Sequence, residues 1–214
     1  MMSIKPVRPW RRISSEKIAD CRVFTVHRNR SFRYAEFEDE QKTHDFYVFH
    51  SGDWVNVIPV TENQEIILIE QFRHGTESFT LEIPGGSVDE SDPDPLFAAE
   101  RELREETGAV AGEWIQLGMS HPNPAIQGNL CHTYLARDTR IIEKPHFHST
   151  EEIAIRKVPM AEVPALIKGG VITHALVLVA FYWLQLEYGD LSEREAFYGA
   201  GRPLGGVSHS FDQS

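Results

Sequence analysis

The amino-acid sequence predicts an α/β sandwich, and three observations lead to that fold class. Segments that alternate apolar and polar residues, as half-buried strands do, occur on both sides of one well-delimited helix. That helix divides the strands into two groups, and two further helical segments follow the last strand. Helices packed on a sheet bury the apolar face of each of these elements.

Three strand-like segments come first in the chain. They run from Cys21 to His27, from Ser31 to Phe37 and from Asp45 to His50. Their alternation is typical of antiparallel strands with one face toward water. Ser51-Gly52-Asp53 is a turn-forming run that ends this region. We therefore expect a small antiparallel β-sheet before residue 51.

More strands flank the central helix. The segments Trp54 to Val60 and Ile66 to Phe72 are predicted to pair as a hairpin around Thr61-Glu62-Asn63-Gln64. Phe79 to Ile83 is the next strand before the helix. The strands expected after the helix cover Ile115 to Met119, His132 to Ala136 and Ile153 to Val158. Together these segments predict the sheet of the sandwich.

The central helix carries clear start and stop signals. Asp94 suits the N-cap, Pro95 the first helical position and Gly108 the C′ position. An apolar stripe on this helix should face the core. The stripe consists of Leu96, Ala99, Leu103 and Thr107.

Two helices are expected at the end of the chain. A short one near Ala161 to Lys168 ends at Gly169-Gly170, and a longer one runs from about Ile172 to Leu186. The apolar run Ala175 to Leu184 is about half the length of a membrane span, so it predicts a buried helix. The polar, glycine-rich segment from Gly189 onward is either a flexible tail or a segment that wraps a partner.

Composition excludes several classes of function. A length of 214 residues fits one domain, with or without a small appendage. The net charge of −11 argues against nucleic-acid binding, because phosphate contacts need clustered Lys and Arg. Cys21 and Cys131 have neither a disulfide-framework pattern nor a zinc-site spacing. With no signal peptide and no membrane span visible, we expect a cytoplasmic protein.

Three carboxylates lie along the central helix. Glu102, Glu105 and Glu106 are spaced at i, i+3 and i+4. In a helix Glu102 and Glu106 project about 40° apart, with Glu105 farther round. Carboxylates held at the rim of a buried face suit hard, oxygen-seeking cations. A solvated Glu/Arg-rich helix face has the same spacing, so the spacing by itself leaves both interpretations open.

The longer string around these glutamates distinguishes the two interpretations. Glu82-Ile83-Pro84-Gly85-Gly86, followed after a loop by Arg101-Glu102-Leu103-Arg104-Glu105-Glu106-Thr107-Gly108, resembles the signature of the Nudix hydrolases. That signature reads Gly, five residues, Glu, seven residues, then Arg-Glu-apolar-any-Glu-Glu-any-Gly. Counting back from Arg101, Pro93 occupies the place of the first glutamate. Counting forward from Gly86 gives Asp92, so the loop has one extra residue.

The resemblance implies that the first glutamate mainly supports the loop before the helix, so we expect activity to survive its loss. It also implies a Nudix-type α/β/α sandwich in which a mixed sheet lies between helices, over about residues 54 to 188. Members that cleave ADP-ribose and nucleotide sugars typically add a small N-terminal β-sheet that is exchanged between the subunits of a homodimer.

The same resemblance divides the chain into three parts. Residues 1–50 are predicted to be an N-terminal β-sheet region for dimerisation, and residues 51–188 the Nudix hydrolase domain. Residues 189–214 are predicted to be a C-terminal tail.

The resemblance further implies a Mg²⁺ site, with Mn²⁺ as a substitute. Glu102 and Glu106 are the expected principal ligands, and Glu105 is a further ligand or contacts a metal-bound water. The main-chain carbonyl of Gly85 is expected to bind metal as well. Arg101 is expected to pair with a loop carboxylate rather than touch the substrate.

A loop farther along the chain resembles the one that supplies the general base in the same branch of the family. The loop is His148-Ser149-Thr150-Glu151-Glu152-Ile153, immediately before an alternating strand. Glu152 or Glu151 is therefore the candidate base, since a base must reach the attacking water. Two other roles for these glutamates fit the same sequence: they could bind the metal, or they could simply be exposed acidic residues of a loop.

Gln71-Phe72-Arg73 resembles the Gln-aromatic-Arg run of the ADP-ribose-type members. The planar guanidinium of Arg73 suits phosphate oxygens, and a salt bridge to Glu82 is the alternative. Glu82 itself is a candidate contact for ribose or for metal-bound water.

Two other segments are candidates for substrate contact. Trp54 and Phe46 could stack on a nucleobase, although aromatic residues at strand ends more often belong to a core or an interface. Asn123 belongs to the rigid loop from His121 to Asn129, which resembles an Asn-Pro-Ala loop found in Nudix proteins of the nucleotide-sugar type. Such a loop lines a substrate pocket or is a tight structural turn.

The sequence thus predicts a Mg²⁺-dependent hydrolase for ADP-ribose or another nucleoside diphosphate sugar, with a nucleoside monophosphate and a sugar phosphate as products. One alternative is a nucleoside triphosphate or dinucleotide polyphosphate pyrophosphohydrolase. The other is a Nudix fold that binds a ligand without turnover, which the loss of the first signature glutamate keeps open.

Overall fold

The N-terminal region forms a separate three-stranded antiparallel sheet. The computed structural model describes residues 7–34, 41–147 and 152–189. Within them, β1 is Arg11–Asp20, β2 is Thr25–Tyr34 and β3 is Gln41–His50. The strand order is β1-β2-β3, so β2 lies in the centre. The small antiparallel sheet expected from the sequence is therefore present.

The predicted bounds of its strands were wrong in three places. β2 continues without a break from Thr25 to Tyr34, so the predicted strand that ends at His27 and the one that begins at Ser31 are parts of one strand. Cys21 to Phe24 form the turn between β1 and β2, in which the Cys21 amide donates to the Phe24 carbonyl and Arg22 has a φ of 67°. The alternation that begins at Cys21 is therefore a turn followed by a strand. The whole of β1 was missed because its charged side chains are exposed and leave no alternation to detect. The predicted end of the second strand, Phe37, lies outside the described residues.

The remaining strands and helices follow in an alternating order. The strands are β4 (Trp54–Pro59), β5 (Glu65–Arg73), β6 (Ser78–Glu82), β7 (Gly85–Ser87), β8 (Ala109–Val110), β9 (Glu113–Ser120), β10 (Cys131–Arg137), β11 (Arg140–Ile141) and β12 (Ile153–Pro159). The helices are α1 (Pro95–Thr107), α2 (Val163–Lys168) and α3 (Ala175–Tyr188), with a short 3₁₀ turn at Met160–Glu162.

These strands form a mixed four-stranded sheet and an antiparallel three-stranded sheet. The mixed sheet has the order β7-β4-β10-β9, and its only parallel pair among the described strands is β4 with β10. The antiparallel sheet has the order β12-β5-β6, and β11 pairs with β8 separately. A parallel pair needs a long crossover, and here the crossover contains α1.

The predicted hairpin between Trp54–Val60 and Ile66–Phe72 is wrong. The turn exists, since the Thr61 amide donates to the Glu65 carbonyl and a single bridge joins Val60 to Ile66. Beyond that bridge β4 enters the mixed sheet and β5 the antiparallel sheet. Both strands are buried on both faces, and such strands choose their partners by long-range packing.

Helices cover both faces of these sheets, as the sequence predicted. On one face the residues of α1, Ala98, Ala99 and Leu103, pack with Val55 and Val57 of β4. On the other face α2 and α3 pack on the alternate residues of the same strands. That second core contains Ile58, Ile66, Leu68, Leu135, Val163, Val177, Phe181 and Leu184. The fold is therefore an α/β/α sandwich with an added N-terminal sheet.

Helix α1 has the predicted termini. The Asp94 carboxylate accepts from the Phe97 amide at 2.9 Å, Pro95 is the first helical residue, and Gly108 follows the last with a φ of 68°. Three of the predicted stripe residues, Ala99, Leu103 and Thr107, are fully buried. The capping signals therefore fixed both ends of this helix.

The two C-terminal helices are also where the sequence predicted them. Gly169 caps α2, and α3 ends two residues beyond the predicted Leu186. Within the ranges that the structure describes, every helix is too short or too polar to cross a membrane. The predicted tail lies outside those ranges, apart from Gly189.

Candidate active site

A large cavity lies where the edges of the two main sheets approach the beginning of α3. Its volume is about 1130 Å³. The end of β5, the residues of β6 and β7, and the segment from Thr173 to Val177 supply most of its wall. Five of the residues predicted as functional line it together: Trp54, Arg73, Glu82, Gly85 and Glu152.

The three glutamates of α1 lie behind the β7 part of this wall. Glu106 is buried, and its Oε2 accepts from the Gly85 amide at 2.9 Å. That bond fixes the signature loop to the helix. A Cβ at Gly85 would lie 2.3 Å from the Val55 carbonyl oxygen, so the close packing of β7 on β4 requires glycine there.

Gly86 brings the loop backbone against a second carboxylate. A Cβ on Gly86 would lie 2.3 Å from Oε1 of Glu102. Because glycine has no side chain, the Glu102 carboxylate can come close to the main chain of β7. The loop and the helix therefore form one compact group of oxygen atoms next to the cavity.

Arg101 holds this group together. Its Nη2 donates to Asp92 at 3.0 Å and to the Ser87 carbonyl at 2.9 Å, while Nη1 donates to Glu102 at 2.9 Å and to Glu105 at 3.2 Å. The hydrogen bond from Arg101 holds the pKa of the Asp92 carboxyl below its usual range. The structure thus contains the predicted pair between Arg101 and a loop carboxylate.

Asp92 is the carboxylate that occupies the place of the missing signature glutamate. Its side chain is almost completely buried, and its Oδ2 also accepts from the Asp89 amide at 2.9 Å. The extra loop residue therefore shifts the supporting carboxylate by one position, and the support of the loop is retained.

The donors around α1 fit a hard divalent cation, although they are engaged with the protein in this structure. In the described ranges no three acidic, His or Cys side chains stand in a metal-binding arrangement. The reason is that Glu102 and Glu105 are turned toward Arg101, and Glu106 toward Gly85. Carboxylate and carbonyl oxygens are nevertheless the ligands that Mg²⁺ prefers, and the absence of a side chain at Gly86 lets the Glu102 carboxylate lie beside the main chain of β7.

Arg73 and Glu82 form a bidentate ion pair in the cavity wall. Arg73 Nε lies 2.9 Å from one Glu82 oxygen and Nη2 lies 2.7 Å from the other. Thr80 donates to the same carboxylate. Burial of Glu82 by itself raises its pKa, but the hydrogen bonds from Arg73 and Thr80 outweigh burial and lower it. The carboxylate is therefore ionised at neutral pH and orients the Arg73 guanidinium. About two-fifths of the Arg73 side chain is exposed.

Glu152 is exposed and lines the cavity at the start of β12. The pairing of Ile153 with Gln71 brings this strand end beside the Arg73 end of β5. The alternative base, Glu151, lies outside the described residues.

Asn123 is not among the residues that line the cavity. It is exposed, and its carbonyl accepts from the Ile126 and Gln127 amides to close a turn. The same loop joins the N-terminal sheet to the sandwich, since the Phe49 amide donates to the Ile126 carbonyl at 2.7 Å. The structural-turn interpretation of the loop is therefore the one with contacts to support it.

Several cavity residues had no functional signal in the sequence, and two of them are Asn56 and His174. Asn56 lies in the middle of β4, and His174 immediately precedes α3. An isolated Asn in an apolar strand and an isolated His before a helix indicate no function until the register of the strand and the position of the helix are known.

Comparison with protein families and curated proteins gives a consistent assignment. The NUDIX domain model matches residues 50–180. The chain is 29% identical over 141 residues to the ADP-ribose pyrophosphatase of Bacillus subtilis (strain 168), covering 65% of this chain and 75% of the relative. It is 28% identical over 125 residues to the ADP-ribose pyrophosphatase of Mycobacterium tuberculosis (strain ATCC 25618 / H37Rv), covering 58% of this chain and 60% of that relative.

A solved structure has the same fold. The crystal structure of an ADP compounds hydrolase superposes with a TM-score of 0.73 at 22% identity, over 86% of this chain and 96% of that one. At this identity the likeness concerns the fold.

Proposed function

This chain belongs to the Nudix hydrolase family, and on that premise we propose that it hydrolyses the diphosphate of ADP-ribose or another nucleoside diphosphate sugar. The products are a nucleoside monophosphate and a sugar phosphate. The observation that carries the proposal is the composition of one cavity wall, where the signature glycines, the Arg73–Glu82 pair and Glu152 meet. The relatives named ADP-ribose pyrophosphatase support this substrate class.

The reaction requires a divalent cation, which we propose is Mg²⁺, with Mn²⁺ as a substitute. The Gly85 carbonyl and the carboxylates of Glu102, Glu105 and Glu106 would hold it. When bound, such a cation neutralises the charge of the diphosphate and lowers the pKa of the attacking water. Arg101 would then keep the helix and the loop in register, because it contacts both.

The protein's own groups have separate roles in this proposal. The exposed part of Arg73 binds phosphate oxygens through its planar fork, and Glu82 fixes the orientation of that fork. Glu152 accepts the proton of the attacking water, with Glu151 as the alternative base, and Glu105 assists by contacting that water. Trp54, which also lines the cavity, stacks on the nucleobase. Asn123 remains a predicted substrate-binding residue, although it does not line the cavity.

We also propose that the protein is a homodimer that works in the cytoplasm, with residues 1–50 as the dimerisation region. The apolar side chains that the N-terminal sheet exposes, among them Ile13, Ile18 and Tyr47, support this arrangement.

Hydrolysis of a substrate panel tests the proposed activity. The panel contains ADP-ribose, UDP- and GDP-sugars, diadenosine polyphosphates and nucleoside triphosphates, each with Mg²⁺ and with EDTA, and mass spectrometry identifies the products. We expect cleavage of a nucleotide sugar to the monophosphate and the sugar phosphate, abolished by EDTA and by Glu106→Gln. Glu152→Gln should reduce kcat by about 10²- to 10⁴-fold, as loss of a general base does.

The same panel distinguishes the alternatives. Preferred cleavage of nucleoside triphosphates or diadenosine polyphosphates would replace the proposed substrate class. Binding of a nucleotide sugar without any turnover would indicate a ligand-binding module. An unchanged kcat in Glu152→Gln would indicate that Glu151 is the general base, and the matched variant Glu151→Gln then tests that assignment.

A further inference from the structure

Two buried polar atoms in the cavity wall have no hydrogen-bond partner among the described residues. They are Oδ1 of Asn56 and Nδ1 of His174. We propose that these two side chains form the subsite for the hydroxyl groups of the substrate's sugar, an assignment that rests on the proposed function. It gives the cavity a sugar-binding wall formed by β4 and the residues at the start of α3.

The orientation of the Asn56 amide is fixed by its one bond. Its Nδ2 donates to the main-chain carbonyl of Leu176 at 3.3 Å, and a carbonyl accepts only from the nitrogen side of the amide. Oδ1 therefore points away from Leu176 and lacks a donor. Asn56 is 6% exposed, and a buried carbonyl oxygen without a donor is unfavourable, so the native structure requires an explanation for it.

Asn56 lies on the α3 side of the mixed sheet. Its neighbours Val55 and Val57 pack against α1, whereas Asn56 contacts α3 through Leu176. The carboxylates of Glu102 and Glu106 come from α1, on the opposite side. Asn56 is therefore separated by the sheet from the three proposed carboxylate ligands, and of the proposed metal ligands only Gly85, its partner in β7, lies next to it. Because the cation would be held mainly from the α1 side, this position favours an organic ligand for Asn56 Oδ1.

His174 lies on the same wall, two residues before Leu176. Its ring nitrogen is a donor in one tautomer and an acceptor in the other. The wall thus offers one obligate acceptor, Asn56 Oδ1, and one adaptable group beside it.

The required partner follows from this pair of atoms. The bridging diphosphate of a nucleotide sugar is ionised at neutral pH and carries only acceptors, so it cannot satisfy Asn56 Oδ1. A sugar hydroxyl donates one hydrogen bond and accepts others, so neighbouring hydroxyls can donate to Asn56 and pair with His174 in either tautomer. The phosphates then face Arg73 and the sugar faces α3.

Binding of two inert ligands tests this assignment. The ligands are the α,β-methylene analogue of ADP-ribose and the α,β-methylene analogue of the methyl ester of ADP. Both carry the same nucleotide and the same charge on the bridged diphosphate, and only the first carries the second sugar. By calorimetry with Mg²⁺, we expect the wild-type protein to bind the first at least about tenfold more tightly, as one or two hydrogen bonds to buried groups provide.

Variants of the two proposed subsite residues test whether these side chains cause the preference for the ligand with the second sugar. Asn56→Ala and His174→Ala should each reduce the preference severalfold and leave the affinity for the methyl ester unchanged. Because His174 is partly exposed, we expect His174→Ala to fold, and it provides the test if Asn56→Ala folds poorly. Asn29→Ala is the matched control, because Asn29 is similarly buried and also has an unpaired Oδ1 but lies in β2, away from the cavity. It should keep the full preference.

Three results would overturn the assignment. They are an absence of preference in the wild type, a preference that survives both substitutions, and a loss of Mg²⁺ affinity in Asn56→Ala with the sugar preference intact. The last result would make Asn56 a cation ligand. Failure of the proposed function is a different observation: no turnover of unmodified ADP-ribose or any other nucleotide sugar, whatever the binding preference.

Discussion

Gly86 determines how closely the signature loop can approach the Glu102 carboxylate. The atoms that a new Cβ would meet belong to the flexible end of Glu102, whereas at Gly85 they belong to the backbone of β4. Substitution of Gly86 therefore moves a functional group, and substitution of Gly85 strains the sheet.

We predict that Gly86→Ala lowers kcat/KM by about 10- to 100-fold, the range for displaced support of a metal ligand, with little change in Tm. Gly128→Ala is the control, because its new Cβ meets no atom within 4 Å, and it should resemble the wild type. Steady-state kinetics and thermal unfolding measure both effects. Wild-type activity in Gly86→Ala would show that the Glu102 position does not matter for the reaction.

The sequence identified the residues with chemical motifs and missed those without one. Glu102, Glu105 and Glu106 were found because the signature is a continuous string. Asn56 and His174 are 118 positions apart in the sequence, and only the packing of α3 against β4 brings them to one wall of the cavity. Such pairs are invisible to motif analysis.

At the scale of elements, the loop before α1 and the helix itself act as one unit. Asp92 in the loop receives a fork of hydrogen bonds from Arg101 in the helix, at 3.0 and 3.3 Å. Because the pKa of Asp92 is lowered in the folded state, its ionised form stabilises the fold. That contribution is complete above the ordinary pKa of an aspartate and disappears as the pH falls through the lowered value.

We therefore predict that Asp92→Asn lowers Tm at pH 7 and that the difference from the wild type shrinks as the pH falls below about 4. Glu143→Gln is the matched control. Glu143 lies outside the helix and pairs with Arg104 of α1, whose side chain is exposed, so this ion pair should contribute less to stability than the pair between Asp92 and Arg101. Thermal unfolding at a series of pH values measures both. Equal effects of the two substitutions would argue against a special role of Asp92 in holding the loop.

Helix α1 was predicted correctly and the pairing of β4 with β5 was not, and the two cases show which elements a sequence can predict. The ends of α1 depend on local groups, Asp94 bonding to Phe97 and Gly108 adopting a left-handed turn, so they were predicted correctly. One partner of each of β4 and β5 is a strand more than seventy residues away: β10 pairs with β4, and β12 pairs with β5. Short apolar strands have no local feature that selects one partner over another.

At the scale of the whole molecule, the N-terminal sheet is an appendage with exposed apolar residues. Ile13 and Ile18 stand at the two irregularities of β1, where the pairing with β2 shifts, and both are about half exposed. An exposed apolar surface on a sheet is commonly covered by another chain.

We predict that the wild-type protein sediments as a dimer at micromolar concentration and that Ile13→Asp combined with Ile18→Asp makes it monomeric. Burying two unpaired carboxylates at an interface is strongly unfavourable. Val171→Asp, a change at a similarly exposed apolar residue between α2 and α3, should leave the dimer intact. A monomeric wild type, or a double variant that remains dimeric, would remove this sheet as the dimerisation region.

The sequence by itself determined the family, the capped helix with its three glutamates, and the α/β/α class. These features are encoded in short-range patterns of capping, periodicity and motif spacing. Only the tertiary structure decided which strands share a sheet, that Asp92 replaces the missing signature glutamate, and that Asn56 and His174 meet at one cavity wall. Those outcomes depend on the register between distant segments, and register is set by the packing of the whole core.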